Sequence, residues 1–326
     1  MNDILILMIS GLYFFTSLIG YEIPRSEPDS NGCDRMGWYP EEFGLKDHSV
    51  FWYDGYYYLV SIYLPDEKKF AYARSKDLCN WEDLGPILDT RHPGSWEELA
   101  IWAPYVWQEN GNYYLIYTGV SRGITQSIML ATSTDPSNPE LWQSHGMVFQ
   151  PSHSGMVWEA GKWADCRDPT VIKIENTYYL YYTGLDIDGG IIGMATSLSP
   201  FGPWVDWGGI ISPLPANVMA ESATVVSFDQ SYYLFYNDTS RGGMYRIGGS
   251  QAGPWEPPVG FTPGWAHELW QNSSGQWYTS YLQDYTVTIS PMTWDNFFSP
   301  AKPSIGSSVY HMVLPMVLQQ ETVPVK

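Results

Sequence analysis

Three acidic residues recur at almost the same place in a repeated sequence pattern: Asp47, Asp168 and Glu221. Like charges crowded in a partly dry cleft push their pKa values apart. One carboxyl then stays protonated while another is ionised at the same pH. This pair supplies the general acid and the general base that cleavage of a glycosidic bond requires. The third carboxylate can orient the acid and hold sugar hydroxyls, so the residues predict acid–base chemistry on a sugar.

A hairpin pattern defines the place of these residues. It runs through a few apolar or aromatic residues, a turn pair, two aromatics and an aliphatic residue, as in TVIKIENTYYLYYTG. Five anchors, at successive separations of 56, 65, 54 and 45 residues, are Leu59, Leu115, Leu180, Leu234 and Thr279. Counting back 12 residues from each anchor gives Asp47, Ala103, Asp168, Ser222 and His267. Glu221 directly precedes Ser222, so the acidic residues share one register of the repeat.

The repeat predicts an all-β fold, a five-bladed β-propeller that forms a single catalytic domain over residues 23–326. Each hairpin is followed by a third strand and then by a tryptophan: Trp81, Trp142, Trp204, Trp255 and Trp294. Five such units of about 50 residues are typical of this fold. Because the first strand of each blade lines the central channel, we expect the counted positions to meet at one mouth of it. Residues 308–319 are expected to form a strand that closes the ring.

The composition narrows the choice of partners. The net charge of −19, from 16 basic and 35 acidic residues, argues against nucleic acid, anionic membrane surfaces and polyanionic substrates. Aromatic residues make up 16% of the chain, which suits both a β-rich core and rings that cover the apolar faces of sugars. The three cysteines include no CxxC pair, which excludes a disulfide scaffold but permits one disulfide. We expect a neutral oligo- or polysaccharide substrate and no stable protein partner.

The N-terminal segment is apolar. Residues 4–20 form one apolar run, near the length limits of both a spanning helix and the core of an export signal. No basic residue precedes the run, and no A-x-A cleavage site follows it. We expect residues 1–22 to be an export signal or an uncleaved anchor, with the protein secreted or membrane-anchored outside the cytoplasm. The alternative is a hydrophobic strand that packs on the domain.

The blade-opening motifs resemble those of glycoside hydrolase family 43. They are Lys46-Asp47-His48-Ser49-Val50, Trp102-Ala103-Pro104-Tyr105-Val106, Arg167-Asp168-Pro169-Thr170-Val171 and Glu221-Ser222-Ala223. The resemblance extends from about residue 33 to about residue 300. It implies a five-bladed propeller that cleaves arabinose- or xylose-containing glycans with inversion of configuration.

The resemblance also implies roles for single residues. Asp47 would be the general base and Glu221 the general acid, while Asp168 would tune the pKa of the acid and stabilise the transition state. His267 falls where many family members hold a central ion, often calcium, through water molecules, although the reaction requires no cofactor. Asp34 is a rival base that lies outside the repeat register.

Four further residues are expected to contact the substrate: Trp102, Arg167, His48 and His267. Trp102 is either a stacking wall for a sugar ring or part of the core. Arg167 either binds vicinal sugar hydroxyls or pairs with a neighbouring carboxylate. His267 is either a structural residue or a ligand.

Departures from the family motifs keep other functions open. His48 stands where family 43 usually has proline, and the fourth motif reads Glu-Ser-Ala rather than Glu-Gly-Pro. Arg167-Asp168-Pro169 is also typical of the retaining fructosidases of family 32, so a β-fructosidase-like hydrolase is the first alternative. A glycoside phosphorylase would need a basic phosphate site, for which the register offers only Arg167 and Lys46. The last alternative is a carbohydrate-binding propeller without catalysis.

Overall fold

The computed structural model describes residues 35–88, 92–211, 214, 218–261 and 264–294. These residues contain twenty strands and two short 3-10 turns, at Arg122–Ile124 and Pro139–Leu141. The prediction of an all-β fold is therefore confirmed. Within the same residues, no helix has the length and apolar character needed to cross a membrane. The predicted export segment, Asp34 and the predicted closing segment 308–319 lie outside the described residues.

Five four-stranded antiparallel sheets form the blades, which confirms the five-bladed propeller. Blade one contains β2 (Gly44–Tyr53), β3 (Tyr56–Leu64), β4 (Phe70–Ser75) and β5 (Trp81–Asp83). Blade two contains β6 (Ala100–Glu109), β7 (Asn112–Ser121), β8 (Thr125–Ser133) and β9 (Gln143–Phe149). Blade three contains β10 (Cys166–Ile174), β11 (Thr177–Asp186), β12 (Gly189–Ser197) and β13 (Val205–Gly209). Blade four contains β14 (Ala220–Phe228), β15 (Ser231–Asp238), β16 (Gly242–Gly248) and β17 (Val259–Gly260). Blade five contains β18 (Trp265–Gln271), β19 (Trp277–Gln283), β20 (Thr286–Met292) and β1 (Gly37–Trp38).

The ring is closed by the N-terminal strand of the described chain. Strand β1 pairs with β20, Gly37 opposite Thr288 and Trp38 opposite Val287. The Gly37 amide also donates to the Leu78 carbonyl in blade one, at 2.8 Å. Blade five is thus completed by residues that immediately precede blade one, and this ties the two ends of the ring together.

Tight turns join the first two strands of the blades. Asp54 and Gly55 in blade one both have positive φ, 44° and 83°, the conformation of a type I′ turn that matches the twist of the strands. In blade five, Gln271 pairs with Trp277, so five residues form the turn there instead of two. Because of this longer turn, the first strand of blade five lies one residue further from its anchor, Thr279, than the first strands of the other blades lie from theirs.

The core is divided into five apolar clusters, each between two neighbouring blades. Each of the five recurrent tryptophans packs in a different cluster: Trp81, Trp142, Trp204, Trp255 and Trp294. These large rings fill the space between neighbouring blades, which widens with distance from the central axis. Most aromatic residues singled out by the repeat therefore stabilise the fold rather than face a ligand.

Candidate active site

A β-bulge interrupts the first strand of every blade at the same position. In blade one the strand register shifts between Lys46 and His48, and corresponding shifts occur in the other four blades. One residue at each shift has a left-handed φ between 23° and 54°: Asp47, Ala103, Asp168, Ser222 and Ala266. Such backbone is strained for residues other than glycine and is concentrated at functional sites. All five residues line one central cavity, so the predicted convergence is observed.

Blade five departs from the predicted register. Counting back 12 residues from Thr279 leads to His267, but Ala266 is the residue with the left-handed φ of 50°. The cause is the longer turn of blade five, which adds one residue between the bulge and the anchor. His267 therefore corresponds to His48 of blade one. The two imidazoles line the same cavity, one step further along the axis than Asp47.

The residues directly before the left-handed positions form a second ring, the rim: Lys46, Trp102, Arg167, Glu221 and Trp265. Glu221 thus precedes the left-handed residue of blade four, as its place beside Ser222 required. Trp265 was missed by the sequence analysis because the anchor of blade five is displaced. Alignment of the blades on their bulges would have found it.

Asp168 is buried and held by neighbours from two blades. Its Oδ2 accepts hydrogen bonds from the Ser222 amide, at 3.0 Å, and from the Thr183 hydroxyl, at 3.1 Å. Burial raises the pKa of Asp168 to about 6, an effect that Arg167 opposes and Glu221 reinforces. Its position and orientation are thus fixed before any substrate binds.

Asp47 is half-buried and differently surrounded. Its carboxylate accepts no hydrogen bond from the part of the chain that the structure describes, so it is available to water or substrate. Burial, followed by the negative charge of Asp168, raises the pKa of Asp47 to about 7, while Lys46 opposes the shift. Glu221 contributes to the same rise, which places the three predicted catalytic carboxyls within electrostatic reach of one another.

Arg167 links Glu221 of the rim to the carboxylates of Asp165 and Asp168. Its guanidinium donates hydrogen bonds to Glu221 and to Asp165, and its Nε lies 3.9 Å from Asp168 Oδ2. The Gln126 side chain accepts a weaker hydrogen bond from it, at 3.4 Å. Of the two expectations for Arg167, the pairing with neighbouring carboxylates is observed. Its contact with sugar hydroxyls stays a prediction.

Trp102 and Lys46 are joined by an acid that the sequence analysis missed. Glu67, in the turn between β3 and β4, accepts from Lys46 Nζ at 3.0 Å and from Trp102 Nε1 at 2.8 Å. No sequence pattern marks Glu67, because it lies in a loop some twenty residues from Asp47. The contact fixes the indole edge of Trp102, whose stacking role stays a prediction.

The deeper part of the cavity is lined by neutral groups. Burial, with a smaller effect of His267, lowers the pKa of His48 to about 3, and its Nε2 lies 2.7 Å from Ser280 Oγ. Glu268 accepts from the Ser49 hydroxyl and the Val50 amide at 2.6 and 2.8 Å, and burial raises the pKa of Glu268 to about 8. Burial thus favours the uncharged forms of His48 and Glu268, and both side chains contact residues across the boundary between blades one and five.

This lining offers little for direct calcium binding. Calcium prefers several charged or carbonyl oxygens, but both Glu268 oxygens are engaged, and no group of three His, Cys, Asp or Glu in the described residues could hold a metal ion. The cavity of about 40 Å³ has room for a few water molecules. An ion held through waters near His267 stays a prediction.

Comparisons with known proteins agree with this geometry. Residues 42–162, which include the bulges of blades one and two, match the sequence model of glycosyl hydrolases family 43. A probable arabinan endo-1,5-alpha-L-arabinosidase A from Aspergillus clavatus is 26% identical over 212 residues, 60% of each chain. A sucrose:sucrose 1-fructosyltransferase from Festuca arundinacea is 29% identical over 171 residues, 47% of this chain and 25% of its own. This chain thus spans 60% or less of the length of these curated relatives.

Solved structures share the propeller. An endo-arabinase from Bacteroides thetaiotaomicron superimposes with a TM-score of 0.61 at 18% identity, over 77% of this chain and 95% of its own. A family 43 enzyme from Xanthomonas citri, solved with xylotriose, superimposes with a TM-score of 0.58 at 20% identity, over 77% of this chain and 88% of its own. The likeness to family 43 glycosyl hydrolases that the blade-opening motifs predicted is therefore confirmed, in sequence over residues 42–162 and in fold over the propeller.

Proposed function

We propose that the protein is a glycoside hydrolase that cleaves a neutral arabinose- or xylose-containing glycan with inversion of configuration. The observation that carries this proposal is that Asp47 and Asp168 line one cavity at the left-handed positions of blades one and three. Glu221 directly precedes the left-handed Ser222 of blade four and acts electrostatically on Asp47. A fold assembled only for stability has no use for a carboxylate such as Asp47, which is half-buried and has no hydrogen-bond donor among the described residues. Two similar structures support the sugar class: one is an endo-arabinase, and the other is an enzyme solved with xylotriose.

In the proposed mechanism each carboxyl has its own task. Asp47 removes a proton from a water molecule, whose oxygen attacks the anomeric carbon on the face opposite the leaving group. Glu221 gives its proton to the glycosidic oxygen as the bond to the anomeric carbon breaks. Asp168, held by Ser222 and Thr183, stabilises the positive charge that develops on the sugar ring. The reaction uses no cofactor.

The protonation of the cluster supports acid–base chemistry by this group of carboxyls. The pKa values of Asp47 and Asp168, about 7 and about 6, keep a proton within the group of carboxyls near neutral pH. Arg167 pairs with Glu221 in the free protein. A substrate hydroxyl that takes over the guanidinium of Arg167 would release Glu221 to carry the proton to the leaving group.

The experiment is hydrolysis of 4-nitrophenyl arabinofuranoside and xylopyranoside by Asp47→Asn and Glu221→Gln. We expect Asp47→Asn to be inactive on the glycoside that the wild type cleaves. Glu221→Gln should be inactive on arabino- or xylo-oligosaccharides, whose leaving oxygen needs a proton, and less impaired on the aryl glycosides, because 4-nitrophenolate departs without one. Matched controls are Asp54→Asn and Glu175→Gln, exposed acids in hairpin turns at the opposite ends of the first strands, which should remain active. Full activity of Asp47→Asn would refute the mechanism, and retention of the anomeric configuration in the product, observed by proton NMR, would refute inversion.

A fructosidase-like activity is the second candidate. The match to the fructosyltransferase of Festuca arundinacea and the Arg167-Asp168-Pro169 triplet favour it. Sucrose and a short fructan belong in the same assay. Release of fructose without activity on arabinosides or xylosides would replace the first proposal with this one.

Export from the cytoplasm is a separate proposal. The apolar run over residues 4–20 supports it, and Cys79 is disulfide-bonded, which suits an oxidising compartment. Fractionation of the producing cells tests it, because the proposal requires the mature protein outside the cytoplasm.

A further inference from the structure

Glu67 connects two neighbouring residues of the rim. Lys46 and Trp102 occupy equivalent positions in blades one and two, and both donate to the Glu67 carboxylate, at 3.0 and 2.8 Å. The backbone of Glu67 is fixed as well, because its carbonyl accepts from the Ile101 amide at 3.0 Å and its amide donates to the Tyr63 carbonyl at 2.9 Å. Its φ of 51° is left-handed.

Lys46 has a choice of two carboxylates. It is adjacent to Asp47 along the chain and attracted to it, yet its ammonium is hydrogen-bonded to Glu67. An ammonium paired with Asp47 would hold that carboxylate ionised and would occupy the oxygens that must receive a proton from water. The hydrogen bond to Glu67 keeps the Lys46 ammonium from forming that pair with Asp47.

We propose that Glu67 is a positioning residue, which keeps the Lys46 ammonium away from the Asp47 carboxylate and fixes the Trp102 ring within the rim. The inference deepens the proposed function and rests on it only for the role of Asp47 as base. The charged groups that face Asp47 are Lys46, Glu67, Asp168 and Glu221. Tyr285 of blade five also faces Lys46.

Two single variants test the charge of Glu67 and the charge of Lys46 separately. In Glu67→Gln, the amide oxygen still accepts from Trp102, but the negative charge is lost and Lys46 is released toward Asp47. In Lys46→Met, the apolar stem remains and the positive charge is lost. We expect the titration midpoint of Asp47 to fall by about one pH unit in Glu67→Gln and to rise by a similar amount in Lys46→Met. Loss of the Glu67 charge also lowers the Asp47 midpoint directly, so Glu67→Gln is repeated on the Lys46→Met background. The fall should be smaller there, and a fall of equal size would show that Glu67 does not act through Lys46.

The readout is carboxyl ¹³C NMR of aspartate-labelled protein, with the Asp47 signal identified by its absence in Asp47→Asn. The matched control is Glu82→Gln, which removes the partner of Arg74 at 2.7 Å in the same blade and should leave the midpoint unchanged. Midpoints that stay constant, or move in the same direction in both variants, would overturn the proposal. Because this titration needs no substrate, it decides the matter even if Asp47→Asn disproves the hydrolytic mechanism.

The contact with Trp102 has its own readout. On whichever aryl glycoside is cleaved, Glu67→Ala and Trp102→Phe should each raise KM about fivefold. The first variant removes the acceptor of the hydrogen bond that fixes the ring at position 102, and the second removes its donor. Glu67→Gln should keep the wild-type KM, because its amide oxygen can replace the carboxylate. An unchanged KM in Glu67→Ala would remove this half of the proposal.

Discussion

Two groups of carboxylates in this propeller lie partly or wholly out of water, but their surroundings are opposite. In blade three, Asp206 accepts hydrogen bonds from the amides of Ser152, His153 and Gly208, from the His153 ring at 2.7 Å and from the Tyr182 hydroxyl at 2.9 Å. Although burial opposes it, these donors lower the pKa of Asp206 below its ordinary value. Asp47, with no donor among the described residues, has its pKa raised to about 7.

The difference separates a structural carboxylate from a reactive one. The blade-three group, which we call the latch (His153, Asp186, Asp206 and Tyr182), ties the connection between blades two and three to the strands of blade three. Its charges are satisfied within the protein, so they stabilise the fold. The Asp47 carboxylate accepts no hydrogen bond from the described residues, so it can bind water or substrate and take up a proton.

The largest expected effect is the loss of activity in Asp47→Asn. Removal of a general base costs about 10²–10⁴-fold in rate, whereas unfolding stability should not fall, because no hydrogen bond of the described residues is lost. Initial rates on the aryl glycoside and thermal melting at pH 8 test both halves. A variant that melts well below the wild type would show that Asp47 is structural, and the comparison would fail.

The opposite variant is Asp206→Asn in the latch. It should reduce the free energy of unfolding by about 1–3 kcal/mol, since an amide nitrogen would face donors that the carboxylate now satisfies. The protein that remains folded should keep most of its activity. Denaturant unfolding at pH 7, with Asp54→Asn as the exposed control, measures the loss. Unchanged stability would contradict the structural role of the latch.

The pH dependence should also differ between the two regions. The folded pKa of Asp47 lies above the ordinary value of 3.8, so the folded state binds more protons and stability declines as pH rises from about 4 to about 7. Over the upper part of this range kcat/KM should rise, because the base becomes ionised. Melting temperatures measured from pH 4 to 8 should show a smaller decline in Asp47→Asn, and an equal slope in both proteins would exclude a raised pKa.

Within the latch, His153 and Asp206 respond to pH in opposite directions. The lowered pKa of Asp206 makes its contribution to stability grow as pH rises. Although burial opposes its charge, Asp186 and Asp206 raise the pKa of His153 above 6.5. The stabilisation by His153 is thus complete below about pH 6.5 and is lost as pH rises through the raised value. His153→Gln should therefore destabilise the protein more at pH 5 than at pH 9. A loss of equal size at both values would show that the imidazole acts without its charge.

The smallest effect is expected from metal removal. Because both Glu268 oxygens are engaged and no three-ligand group is present in the described residues, dialysis against EDTA should leave kcat/KM unchanged within error. Restoration of activity by added calcium after dialysis would instead establish the ion predicted near His267.

The sequence predicted the parts of the site that repeat and missed those that do not. Asp47, Asp168 and Ser222 were located because a hairpin of constant length connects each to its anchor. His267 was misaligned and Trp265 overlooked because one turn is longer. The closing strand Gly37–Trp38 is too short to have a recognisable pattern. Glu67 could not be found, since its contacts join a turn to strands of two blades and depend only on the folded arrangement.

The recurrent bulge also bears on how such a scaffold acquires new activities. Blades two and five have the same left-handed backbone as the reactive blades, yet they carry only a methyl group there, at Ala103 and Ala266. The backbone at these two alanines therefore already has the left-handed conformation of Asp47 and Asp168, and both methyl groups line the same cavity. A single substitution of either alanine would add a functional group to the cavity without a change in any loop, so both positions are targets for laboratory evolution.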